Sequence, residues 1–159
     1  MNALRKISVW VATGFGLGYS PVASGTVGTL PGVLFVWLAY PRLTLFQQII
    51  TAVLLALSAI PFCDIAEKTF GKKDDGRIVA DEYLTFPLCV IGLPVTTPWV
   101  LLMAFLTSRF FDIVKPPPAR GLQKIHGGFG IVIDDVFASL YSLLVNHVLF
   151  YVATKWIAV

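Results

Sequence analysis

Charge is absent from most of this chain. Residues 7–63 carry a single charged side chain, Arg42, and residues 83–108 and 136–154 carry none. Ionic residues are instead pressed into two belts, residues 64–82 (DIAEKTFGKKDDGRIVADE) and 109–135 (RFFDIVKPPPARGLQKIHGGFGIVIDD). Overall 57% of the 159 residues are hydrophobic and 13% charged, with a mean hydropathy of +0.80, against roughly 25% charged in an average soluble domain. Long uncharged runs of this kind suit a bilayer, where about 20 helical residues at 1.5 Å rise cross a hydrocarbon core of roughly 30 Å.

Residues 43–63 and 136–154 are each long and apolar enough to span. Residues 26–40, closed by Pro41, are shorter and read as a half-span or an interfacial helix. The run at 83–108 is long enough, but Pro87, Gly92, Pro94 and Pro98 interrupt it, and each tends to break or kink a helix. A single crossing there would separate the two charged belts, whereas a re-entrant hairpin or an even number of passes brings them together. Both belts are rich in Lys and Arg, which favours the cytoplasmic side for both. The expected fold is all-α: one membrane-embedded domain, 1–159, forming a bundle of about five or six helices with short or re-entrant pieces.

Other classes fall away. A net charge of +3, mild and scattered, suits anionic lipid headgroups better than nucleic acid. Cys63 and Cys89 are far apart, without the spacing of a zinc site or a disulfide framework. Glycine interrupts the N-terminal stretch before a signal-peptide core of convincing length, so it reads as mature chain. The stretch GFGLGYSPVASGTVGTLPG lacks the G-K-[ST] of a phosphate-binding P-loop and the third glycine of a dinucleotide site. In it Ser24 and Thr26 stand beside Gly25 at the start of an apolar helix, placed either to cap that helix or to contact a phosphate at its N-terminus.

The acids ask for a counter-charge. Asp81, Glu82, Asp112, Asp134 and Asp135 all lie at edges of apolar segments, where an uncompensated carboxylate costs several kcal/mol, of the order expected for a buried ion. They are either solvated helix-end residues or oxygen ligands for a hard divalent cation such as Mg²⁺, which takes one or two carboxylates together with substrate phosphate and water. In RFFDIVKP, Arg109 and Asp112 share a helix face at i, i+3, while Lys115 lies further round and Pro116 ends the helix. That pattern is a surface ion pair or a phosphate site with Arg109 and Lys115 on the oxygens. His126 precedes GGFG, a turn whose amides can cradle an anion while histidine serves as acid, base or phosphate contact. His147, beside Asn146 in mid-segment, reads as a packing or interhelical hydrogen-bonding residue.

Three blocks, GFGLGYSPVASGTVGTLPG, IVADEYLTFPL, and RFFDIVKPPP with HGGFGIVIDD, together resemble the type A phosphatidylglycerophosphatases. The likeness runs from Gly14 to Asp135. It implies a Mg²⁺-dependent integral membrane enzyme that removes the terminal phosphate of phosphatidylglycerophosphate, leaving phosphatidylglycerol, at the bacterial inner membrane with its site facing the cytoplasm. The family's acidic pair falls on Asp81 and Glu82, its R-x-x-D-x-x-K-P on Arg109, Asp112, Lys115 and Pro116, and its histidine and last acidic pair on His126, Asp134 and Asp135. Asp112, His126, Asp134 and Asp135 are the expected catalytic residues. Asp81 and Glu82 join the three aspartates around metal, and Arg109, Lys115, Thr26 and Ser24 hold phosphate. Two rival readings are a small ion or proton transporter using membrane-edge carboxylates and a structural subunit whose acids pair with a partner.

Overall fold

The computed structural model describes residues 3–157, and every regular element among them is helical. Helix α1 (Ala3–Ala12) leads through a glycine-rich turn to the short α2 (Ser24–Gly28), which runs through Thr29 into α3 (Leu30–Ala39). There follow α4 (Leu45–Phe70), α5 (Ala80–Thr85), α6 (Pro98–Val114), α7 (Ala119–Leu122) and α8 (Gly128–Ile157). Five of these have ten residues or more, in keeping with the expected bundle. Two of them, α4 and α8, are long and apolar enough to cross a membrane.

Helix α4 starts on a reciprocal cap, in which the Gln47 amide donates to Thr44 Oγ1 and the Thr44 amide donates to Gln47 Oε1. It ends where Gly71 turns left-handed at φ +66°, a conformation glycine adopts without a Cβ penalty. The sequence expectation ended this span at Cys63; the helix in fact continues through Pro61 to Phe70. Hydropathy stops at Asp64, but helix-compatible residues do not, so two further turns carry Asp64, Glu67 and Lys68 beyond the apolar stretch. The buried face of α4 is small, with Ala52, Ala56, Ala59, Cys63 and Ala66 at alternating spacings of four and three. Small residues let helices approach closely where the surroundings are as apolar as the side chains.

Helix α8 runs antiparallel to both α4 and α6. The Gly128 amide donates to Asp64 Oδ1, which sets the start of α8 at the end of α4, and Lys115 at the end of α6 reaches Asp134 near the start of α8. Between α4 and α6 the chain enters the bundle by α5 and a tight 3₁₀ turn (Phe86–Val90), reverses over residues 91–97 and returns by α6. This is the expected interruption, and its freed backbone groups find protein partners. Gln48 Oε1 accepts from the Gly92 amide while its Nε2 donates to the Tyr40 and Leu43 carbonyls. Asn146 Nδ2 donates to the Cys89 carbonyl and its Oδ1 accepts from Thr107. His147 Nε2 lies 2.9 Å from the Ile91 carbonyl, a bond from α8 to the reversal and not, as expected, to another helix. The hairpin returns both charged belts to one end of the bundle.

Candidate active site

The last turns of α6 supply the cations of the site. Arg109 and Asp112 share a face as their spacing requires, with Nη2 2.9 Å from Asp112 Oδ2. Arg109 Nη1 lies 2.7 Å from Glu82 Oε2 and also donates to Thr29 Oγ1 at 3.3 Å. At Lys115 the backbone turns left-handed at φ +46°, unusual for a residue with a side chain. Through that turn the ammonium folds back to 2.5 Å from Asp134 Oδ2 and 3.7 Å from Asp112 Oδ1. Asp81 and Glu82 come from the first turn of α5. Asp134 and Asp135 lie seven and eight residues into α8 and are 2% and 4% exposed, so they are buried within the helix and not set at its mouth.

These side chains surround one polar cavity of about 390 Å³. Asp74, Asp81, Glu82, Asp112 and Asp135 line it with Arg109 and Lys115, and Ala23, Ser24, Gly25 and Thr26 of α2 and its entry close one wall. A void of about 10 Å³ extends behind it among Thr29, Glu82, Arg109, Asp112, Asp135 and Ser139. Gly25 is needed for this closeness: a Cβ there would stand 2.2 Å from Glu82 Oε1 and 2.7 Å from Arg109 Nη2.

The site is short of positive charge. With Asp134 on Lys115, six carboxylates face two cations, and each cation is already shared between two acids. Asp81 Oδ1, Asp134 Oδ1 and Arg109 Nε are buried without a hydrogen-bond partner, and Asp112 and Asp135 both line the cavity and the small void. Burial, followed by the charge of adjacent Glu82, pushes the Asp81 carboxyl well above the usual range. Burial likewise pushes Glu82 up to about 7, although Arg109 pulls it down. Burial works against the Lys115 ammonium, but its hydrogen bond to Asp134 and the surrounding acids outweigh that and raise its pKa. Among the described residues no three Asp, Glu, His or Cys side chains converge as a ready-made metal centre. The hard oxygen donors and the two orphaned acid oxygens nevertheless suit a cation of the Mg²⁺ type, which is ordinarily held by one or two carboxylates and completed by phosphate and water.

The structure gathers Ser24, Thr26, Asp81, Glu82, Arg109, Asp112, Lys115, Asp134 and Asp135 around this cavity. Helix α2 has no side-chain cap. Ser24 Oγ instead donates to the Gly76 carbonyl at 2.8 Å, tying the cavity wall to the loop that carries Asp74. His126 is exposed on the turn before α8 and does not line the cavity. The amides of its GG turn are already occupied: Gly127 donates to Glu67 Oε2 and Gly128 to Asp64 Oδ1.

Residues 10–150 match the family model described as phosphatidylglycerophosphatase A. The chain belongs to the phosphatidylglycerophosphatase A family. A phosphatidylglycerophosphatase A of Haemophilus influenzae is 37% identical over 91% of this chain and 92% of its own length. One of Escherichia coli is 32% identical over 98% and 90%. A Bacteroides thetaiotaomicron protein named "Putative phosphatidylinositol-3-phosphatase" is 34% identical over 87% and 90%. No solved structure matches the chain. As a member of this family the chain is an enzyme, a phosphatase of lipid metabolism, and the transporter reading is not favoured.

Two site residues lay outside the sequence reading. Thr29, 2% exposed, has its hydroxyl 2.8 Å from the Gly25 carbonyl and 3.1 Å from Glu82 Oε2, and accepts from Arg109. Asp74, left-handed at φ +48°, lines the cavity from the loop after α4. The doubled acid of KKDDG was the available signal for Asp74. Nothing in GTVGTLPG separates Thr29 from Thr26.

Proposed function

We propose that this chain hydrolyses the terminal phosphomonoester of phosphatidylglycerophosphate to phosphatidylglycerol and inorganic phosphate, with Mg²⁺ as cofactor, at the cytoplasmic face of the bacterial inner membrane. The observation that carries the reading is five carboxylates lining one cavity with two cations, each already shared between two acids, in a phosphatidylglycerophosphatase-family chain. A phosphomonoester dianion cannot enter such a cavity against like charge, so a cation must accompany it.

Asp81 and Asp135 line the cavity without an ion pair, and with Asp112, Glu82 and Asp134 they would hold the metal. Bound there, Mg²⁺ would offset the charge of the phosphate and make a nearby water more acidic. The chain's own groups do the rest. Arg109 and Lys115, each shared between acids, can turn part of their hydrogen bonding to phosphate oxygens as cation charge takes over those acids. Thr29 and Glu82 hold the guanidinium in place, so that positioning and charge stabilisation, the main contributions to phosphoryl transfer, are built in beforehand. Asp81 Oδ1, unpartnered and buried on the cavity wall, is the atom placed to orient the attacking water and take its proton. The new bond forms from water oxygen to phosphorus as the bond to the glycerol oxygen breaks, and that oxygen takes up the proton removed from the water and leaves as the hydroxyl of phosphatidylglycerol.

Orientation follows from charge. Of the twelve Lys and Arg, ten lie at the site end of the bundle and only Arg42 and Lys155 at the other. Positive charge marks the cytoplasmic side, which supports a cytoplasm-facing site. Phosphate release from phosphatidylglycerophosphate, phosphatidylinositol 3-phosphate and phosphatidic acid, measured side by side in mixed micelles, tests the substrate. Preference for the first by tenfold or more in kcat/KM is expected. Preference for the inositol lipid would transfer the chain to that substrate.

A further inference from the structure

We infer that the groove between the residues 14–17 turn and α3 seats one acyl chain of the phospholipid whose phosphate occupies the acidic cavity, an assignment that rests on the phosphatase reading above. The groove has a volume of about 670 Å³ and a wholly apolar wall that includes Phe15, Leu17, Leu30, Leu34, Phe35 and Leu38. Three observations single it out.

The first is continuity with the cavity. Thr26 lines the cavity and Leu30 lines the groove. Between them Thr29 keeps helical backbone angles, φ −72° and ψ −21°. Residues four apart on such a run stand one turn apart on one side, with Cβ atoms about 5–6 Å from each other. Leu30, Leu34 and Leu38 continue that row away from the acids, and all three are about half exposed. A diacyl lipid needs a polar pocket for its phosphate with an apolar track leading out of it, and this row provides the track.

The second is the strained turn opposite. Gly14, Phe15 and Gly16 all have positive φ, at +57°, +60° and +99°. A bulky residue is a genuine outlier there, and such strain persists where surrounding structure fixes it, commonly at ligand sites. Phe15 does not go into the core in return, for it is 49% exposed. Its ring stands edge-on to Trp10 at 4.7 Å and 6.0 Å from Tyr83, the neighbour of Glu82. The turn thus holds an aromatic side chain on the groove wall, beside Tyr83 of α5, the helix that carries Asp81 and Glu82.

The third is the physics of selection in a bilayer. Lipid tails are as apolar as leucine, so the groove gains little from taking a tail in place of bulk lipid. A tail tethered to a phosphate bound next door is present at a high effective concentration. The signature is therefore occupancy that depends on the headgroup.

The full chain in phosphatidylcholine nanodiscs is photolabelled with a non-hydrolysable phosphonate analogue of phosphatidylglycerophosphate bearing a diazirine midway along one acyl chain, and labelled peptides are mapped by mass spectrometry. Label is expected on residues 15–17 and 30–39, falling at least fivefold when excess deacylated phosphonate headgroup is added. Label on the narrower α4–α8 groove of Val53, Leu57, Ile60 and Phe129 should not fall. Leu34→Trp, at an exposed position that tolerates bulk, should lower the ratio of kcat/KM for diacyl over deacylated substrate about tenfold. Label on 30–39 that ignores the competitor is bulk lipid and overturns the assignment. So does competed label that maps elsewhere in an enzyme that still releases phosphate. No competed label anywhere, together with no phosphate release, overturns the phosphatase reading itself.

Discussion

Gly25→Ala sets two effects of opposite sign against each other. Gly25 lies inside α2 with negative φ, so local propensity alone favours alanine by about 0.5–1 kcal/mol. The new Cβ, however, would stand 2.2 and 2.8 Å from the two Glu82 carboxylate oxygens and 2.7 Å from Arg109 Nη2. Glu82 is held by Arg109 at 2.7 Å and Thr29 at 3.1 Å, and it cannot retreat without loosening both. Removing a partner from a fully buried ion pair costs about 3–5 kcal/mol. These side chains are 13% and 15% exposed, so about 2–3 kcal/mol is the fitting range, against the smaller helical gain. If the pair positions Arg109 for the transition state, that loss corresponds to a drop of about 30- to 150-fold in kcat/KM. Thermal unfolding in detergent and phosphate release should therefore both decline. Shortening the acid in Gly25→Ala/Glu82→Asp makes room for the methyl group and should recover part of the activity. A Gly25→Ala enzyme that is more stable and fully active would refute the reasoning, because it would show that Glu82 and Arg109 need not stand where they do.

Gln48→Leu and Asn146→Leu each strand backbone groups of the hairpin between α5 and α6, and each should lower stability by about 1–3 kcal/mol while the folded fraction keeps its kcat within about twofold; a thermal melt beside an activity titration checks both. His126→Ala should retain phosphate release within about twofold, because the side chain is exposed and away from the cavity; a loss of about a hundredfold would restore it as the general acid. With divalent ions chelated, stability should fall as pH rises from about 4.5 toward about 7. Glu82 moves from 4.5 up to about 7 on folding and Asp81 is raised too, so across that window the folded chain holds protons that the unfolded chain releases. Glu82→Gln should flatten the fall, and a melting temperature that climbs with pH in the unsubstituted chain would contradict it.

Much of this was legible in the order of residues because charge and hydropathy act locally. The two belts, the broken run at residues 83–108 and the i, i+3 pairing of Arg109 with Asp112 follow from short-range rules, and all three appear in the structure. What escaped were contacts between distant segments. The GG turn reads as an anion cradle until Asp64 and Glu67, some sixty residues away, are seen to occupy its amides. The pairing of Arg109 with Glu82 and of Lys115 with Asp134, each between distant segments, carries no mark in the sequence. The length of α4 was missed because hydropathy ends at Cys63 while helix propensity does not. Thr29 escaped because one threonine in an apolar, glycine-rich run carries no mark of facing inward.

The acid-rich cavity is tested most directly by phosphate release from phosphatidylglycerophosphate with Mg²⁺ and with EDTA, comparing the unsubstituted chain with Asp81→Asn and Asp135→Asn, each verified as folded by thermal melting. Release that EDTA abolishes, Mg²⁺ restores, and either substitution lowers by about a hundredfold or more is the expected result. Release that persists in EDTA and is indifferent to both substitutions would contradict it, and would place the chemistry outside this cavity.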